Sequence, residues 1–99
     1  MRLHKRNNSF YMITLPAVVN HSNATQVRED GLKALRGHTT AEEIIIDASN
    51  LKEFDSSIFA LLVAWKRVTS NLVVKAAPEK VKVLSRVYGV MDLFKFRDA

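Results

Sequence analysis

Three consecutive side chains, Asp55, Ser56 and Ser57, put a carboxylate and two hydroxyls side by side just before an apolar run. Each is a good helix N-cap, since its oxygen can accept a hydrogen bond from the free amides of a first turn. Either serine can also be read as a phosphorylation site, because a helix N-terminus offers free amides and partial positive charge to a phosphate. Asp47 and Asp55 form a carboxylate pair on paper. No nucleophile, base and orienting group accompany them, and capping or helix-dipole roles are enough for both. His4, His21 and His38 fall in loops or termini without metal-ligand spacing, and the chain has no cysteine. With no Gly-x-Gly-x-x-Gly, P-loop or zinc pattern, the expectation is a protein without catalysis, cofactor or metal.

The residues after the serines continue that chemistry. At about 100° per residue, Ile58, Leu61, Leu62, Trp65 and Val68 share one face of a helix, which therefore belongs to a core. Phe59 and Val63 fall outside that face, beside Lys66 and Arg67. Neighbouring elements could cover them, but an aromatic and a valine next to two cations mark a docking face. The expected partner-binding set is Asp55, Ser56, Phe59, Val63, Lys66 and Arg67. Phe59→Ala should weaken docking and leave the fold intact. Ser56→Asp should weaken it by placing charge in a packed interface.

Elements that can hold this helix follow from the rest of the chain. The 99 residues, 47% hydrophobic and 25% charged, suit one globular domain. No apolar run approaches the roughly 20 residues of a membrane span, and the polar start lacks a signal-peptide apolar region. Cytoplasmic location is the expectation. A net charge of +5 and a pI near 9.8 raise nucleic acid as a partner, but no aromatic-plus-basic recognition module is present. An anionic membrane surface or an acidic protein would suit the charge equally.

Residues 1–8 are polar and expected to be loose. Ser9–Leu15 reads as a strand stopped by Pro16, and Ala17–Val19 as a short edge strand or a packed loop. Asn23 with Gln26 resembles a capping box for a helix over about Ala24–Arg36, with Val27, Gly31, Ala34 and Leu35 inward. Gly31 there either allows close approach to a sheet or is a tolerated imperfection of about 1 kcal/mol. Gly37 ends the helix. Glu43–Ala48 contains three successive isoleucines, the mark of a strand covered on both faces. The serine-led helix runs to about Ser70–Asn71. Strand Leu72–Ala76, helix Pro78–Tyr88 (Val81, Leu84 and Tyr88 inward, Gly89 after it) and an apolar tail Val90–Phe94 complete the domain, with fraying beyond Lys95. Strand and helix alternate, predicting a small, mostly parallel sheet flanked by helices, with the Asp55–Ser57 loop at the strand C-terminal edge.

The run Ile44-Ile-Ile-Asp-Ala-Ser-Asn-Leu51, the turn Phe54-Asp-Ser-Ser57 and Ala60-Leu-Leu62 resemble the STAS domain family, which includes bacterial anti-sigma-factor antagonists. The resemblance covers nearly the whole chain and implies a single STAS domain over residues 9–95, with 96–99 frayed. The family's glycine after the serines is Ile58 here. That variant, with Trp65 and Leu84-Ser-Arg-Val-Tyr-Gly-Val90, resembles the MlaB branch of the family. This branch implies a cytoplasmic subunit, peripheral at the inner membrane, that binds the ATPase of a phospholipid-transporting ABC complex, with Ser56 at the contact. The wider family implies an alternative, an anti-sigma-factor antagonist that a serine kinase phosphorylates on Ser56 or Ser57. A small-ligand or nucleotide sensor is a third reading and would need a concave pocket.

Overall fold

The computed structural model describes residues 3–7, 10–38, 43–69 and 71–98. The main sheet contains β1 (Leu3–Asn7), β2 (Phe10–Thr14), β4 (Glu43–Asp47), β6 (Leu72–Lys75) and β7 (Lys95–Arg97) in that spatial order. β1 runs antiparallel to β2, and the remaining pairs are parallel. A second, two-stranded sheet joins β3 (Val18–Val19) to β5 (Glu53–Phe54), also in parallel. Helices α1 (Ala24–Leu35), α2 (Ser57–Arg67) and α3 (Glu79–Val87) connect the parallel strands, and a 3-10 turn (Met91–Leu93) precedes β7. Both chain ends thus depart from expectation. Leu3–Asn7 is a paired edge strand rather than a loose tail, and Lys95–Arg97 is the opposite edge rather than a frayed end. Ser9 and Ser70, the expected limits of a strand and a helix, lie outside the described residues.

Sheet order decides where the helices go. The chain steps from β2 to β4 to β6 to β7, always in one direction, and right-handed crossovers then stack every connecting helix on the same face. Burial agrees. Ile13, Ile44, Ile46, Leu72 and Val74 alternate onto one face and join Val27, Leu35, Ile58, Leu61, Leu62, Trp65 and Val81 of the helices in a single core. Ile45 and Val73 point the other way, outside that core. The isoleucine run therefore does not mean helices on both faces, and no reversal of strand order creates a switch-point crevice. The second face is covered in part by a bidentate ion pair. Arg97 Nη1 and Nη2 donate to the two carboxylate oxygens of Glu43, each at 2.9 Å. β6 lies between their strands, and its Val73 is 1% exposed.

Trp65 fixes how α2 lies on α1. It is fully buried, and its Nε1 donates to the Arg28 carbonyl at 3.1 Å. The indole fills the space where Gly31 lacks a side chain, so a Cβ there would overlap the ring. Gly31 does permit close approach, but to a helix rather than to the sheet. The capping box is not formed. Asn23 Oδ1 accepts from the Asn20 amide at 2.9 Å, its Nδ2 donates to the Val18 carbonyl at 2.7 Å, and Gln26 instead donates to Asp30 at 2.7 Å. Asn23 thereby ties the loop after β3 to itself.

The end of α3 is a Schellman motif. Gly89 has φ +71°, its amide donates to the Arg86 carbonyl at 3.1 Å, and the Val90 amide donates to the Ser85 carbonyl at 2.9 Å. The turn carries Val90 back toward α2, and Phe94 becomes part of the core. Tyr88, expected to be inward, is exposed, as is Val68 at the end of α2. Both follow their helix's last buried turn, where the inward stripe has run out.

Candidate functional site

The parallel pairing of β3 with β5 sets the loop after β3 beside the loop that opens α2. The Asp55 amide continues that ladder, donating to the Val19 carbonyl at 3.2 Å. The Asp55 carboxylate then joins both loops. Oδ1 accepts from the Ser57 amide at 2.9 Å, and Oδ2 accepts from the His21 amide at 2.9 Å and lies 3.2 Å from His21 Nδ1. These contacts, the Ser57 amide first and the His21 amide next, hold the Asp55 carboxyl well below the ordinary carboxylate range. Asp55 is an ionised clamp with both oxygens occupied by loop amides, an arrangement that suits a structural tie between the two loops.

His21, read from the sequence as a solvated loop histidine, has a contact with Asp55 that the sequence did not reveal. Its neighbours were legible as a turn, but its partner is 34 positions away and is met only through the β3–β5 register. Its side chain stays largely exposed. Asp47 is not drawn to Asp55, since its Oδ1 accepts from the Ser49 amide at 3.0 Å in a local turn. Among the described residues, no cluster of histidine and carboxylate side chains could hold a metal ion.

The two serines differ. Ser56 occupies the N-cap position of α2, is exposed, and makes no capping hydrogen bond through its side chain. Ser57 is half-buried and lines a cavity of about 210 Å³ with His21, Thr25, Arg28 and Ala60. Of the three capping candidates, Asp55 is the one that accepts an amide of the first turn.

Beyond the first turn, the expected docking residues do not all lie on the surface. Phe59 is 5% exposed and belongs to the core. Tyr88 covers it, with ring centroids 5.5 Å apart and planes at 52°. The exposed aromatic is therefore Tyr88, 55% accessible. Val63 and Lys66 are half-buried and Arg67 is exposed. Phe59, Val63 and Arg67 nevertheless line one groove of about 430 Å³, together with Arg28, Ala60, Ala64 and Val90. Lys66 is not among the lining residues, and Asp55 and Ser56 sit ahead of it at the start of the helix. A third hollow, of about 510 Å³, lies between Leu15, Pro16, Val27, Asp30 and Asn50.

A clamped serine turn opening an α2 that packs on α1 and a parallel sheet can be compared with known proteins. A family model described as MlaB, STAS domain, matches residues 5–95. The chain belongs to the STAS domain family. No curated protein sequence matches it at a significant level. Among solved structures, a Thermotoga maritima protein described as an anti-sigma factor antagonist superposes with a TM-score of 0.79 at 16% identity, covering 97% of this chain and 85% of that one. A STAS domain protein of Planctomyces limnophilus gives 0.79 at 19% identity, with 99% and 89% covered. The anti-sigma factor antagonist SpoIIAA in its unphosphorylated form gives 0.69 at 20%, with 99% and 86% covered. These likenesses establish the fold. Among the described residues, no helix is long and apolar enough to cross a membrane.

Proposed function

We propose that this STAS domain is a non-catalytic accessory subunit of a phospholipid-transporting ABC complex. It binds the ATPase on the cytoplasmic side of the inner membrane and supports assembly and activity of the complex. The match to the MlaB-described family model supports this reading, and one observation carries it. α2 opens on an exposed, uncapped Ser56 and continues directly into an apolar groove with arginines on its rim. The side chains of Ile58 and Phe59, where the wider family has a glycine turn, are both spent on the core. What remains outside is Ser56, Ala60, Val63 and Arg67, a surface suited to packing against a folded partner. Asp55 contributes by holding the loop in place, and Phe59 by supporting Tyr88.

The second reading is an anti-sigma-factor antagonist switched by a serine kinase. The exposure of Ser56 at a helix N-terminus favours it, and on this reading Ser56 rather than half-buried Ser57 accepts the phosphate. The test is affinity purification of the tagged protein from its own cells, with mass spectrometry of both partners and phosphosites. Recovery of an ABC ATPase with its permease supports the transporter subunit. Recovery of a small serine kinase, with phosphate on Ser56, replaces it with the switch.

A further inference from the structure

The groove on α2 does not stop at α2. Val90, delivered by the Schellman turn, lines it too, and Tyr88 lies on Phe59, another of its lining residues. Val87, one position earlier, is 72% exposed at the end of α3. The outer face of α2, Val90 and the Tyr88 ring that covers Phe59 therefore make one apolar surface, its Val63 and Val90 packed against the core from outside. Exposed apolar side chains of this size, gathered around an aromatic, mark contact surfaces.

Its charge is one-sided. Arg28 and Arg67 line the groove and no carboxylate does. Arg67 makes no ion pair among the described residues, and Arg28 reaches only its chain neighbour Glu29, at 3.2 Å. A second copy of this chain would bring another net charge of +5 toward the same cations. A partner here must fill a recess of about 430 Å³ and meet its cationic rim at once. A helix laid in a groove does both, because it projects apolar side chains inward and charged ones toward the rim.

We propose that the partner element seated here is an acidic amphipathic helix, its apolar side on Val63, Val90 and Tyr88 and its carboxylates on Arg28 and Arg67. This rests on the transporter-subunit reading, and it specifies what the ATPase must present.

The test is calorimetric titration of the ATPase subunit with the full-length domain at low and moderate salt. Ser56→Asp, Arg67→Glu and Tyr88→Ala are compared with the wild type, each checked for folding by circular dichroism. Arg67→Glu should weaken binding about tenfold or more and flatten its salt dependence. Tyr88→Ala should weaken it about tenfold with the salt dependence kept. If Tyr88→Ala fails to fold, the exposed Arg67 still decides the matter. Weakening by Ser56→Asp alone, with the other two binding as wild type, overturns the acidic helix and leaves the subunit reading standing. A wild type that does not bind the ATPase overturns both. Tighter binding to vesicles of anionic phospholipid than to the ATPase, or a self-association that Arg67→Glu abolishes, overturns the acidic helix in favour of a membrane or a second copy.

Discussion

Gly31→Ala should destabilise this protein, although alanine is the better helix former by about 1 kcal/mol. The methyl group would fall inside the Trp65 indole. That ring is wholly buried and anchored through Nε1 to the Arg28 carbonyl, so it cannot withdraw without loss. Overpacking of a filled core costs about 1–3 kcal/mol, and a buried donor left without its acceptor about 1–3 kcal/mol more. Set against the helix preference, a net loss of about 1–5 kcal/mol, centred near 3 kcal/mol, is expected. For a domain of this size the central value lowers Tm by roughly 10–20 °C. Trp65 is the chain's single tryptophan, so thermal unfolding followed by its fluorescence reads the same contact that is perturbed. Trp65→Phe in the Gly31→Ala background should relieve part of the loss, with a coupling of about 1 kcal/mol or more. A Tm equal to or above wild type for Gly31→Ala would refute the α1–α2 contact described above.

Three further outcomes are expected. Phe59→Ala removes a buried ring and should cost about 3–5 kcal/mol by chemical denaturation; an unchanged midpoint would return Phe59 to the surface, where sequence alone had put it. Glu43→Gln should lower stability at pH 7. Arg97, chiefly through its hydrogen bonds, depresses the Glu43 pKa below 4.5 in the folded state, so the pair's contribution is present above that pH and lost as pH falls through the lower folded value. The gap between the Gln variant and wild type should therefore close in acid, and a gap independent of pH would contradict the pairing. Asp55→Asn leaves one acceptor oxygen where two are used, and hydrogen exchange at the Ser57 or His21 amide should accelerate. In the wild type both amides should remain protected as pH falls through 3.8, the ordinary aspartate value, because the carboxyl titrates below it. Equal exchange in the two proteins would remove the clamp.

Local chemistry was legible in the sequence and distant pairing was not. The order of strands and helices, the inward stripe Ile58–Leu61–Leu62–Trp65 and the glycine after α3 all rest on residues within a few positions of one another. β1 was invisible because its Leu3-His-Lys-Arg-Asn7 sequence is polar, and an edge strand needs only a partner for its backbone. Ile44–Ile46 suggested burial on both faces because three isoleucines carry no periodicity. The second face is shielded instead by the pair of Glu43 with Arg97, 54 positions apart. Phe59 and Tyr88 exchanged places for a related reason. A helical wheel puts Phe59 off the main stripe, but Tyr88 at the C-cap of α3 lies across it. At the candidate site, the serine turn was plain in the sequence, whereas the His21 contact and the place of Val90 in the groove depend on the β3–β5 register and the Schellman turn.

Hydrogen–deuterium exchange of the domain, alone and with the purified ATPase subunit, tests the central claim most directly. Docking through the start and outer face of α2 predicts new protection at Ser56–Ala60 and on through Arg67, extending to Tyr88–Val90, with the β4 and β6 amides unchanged. Protection confined to β4, β6 and β7 would place the partner on the opposite face of the sheet and contradict the account.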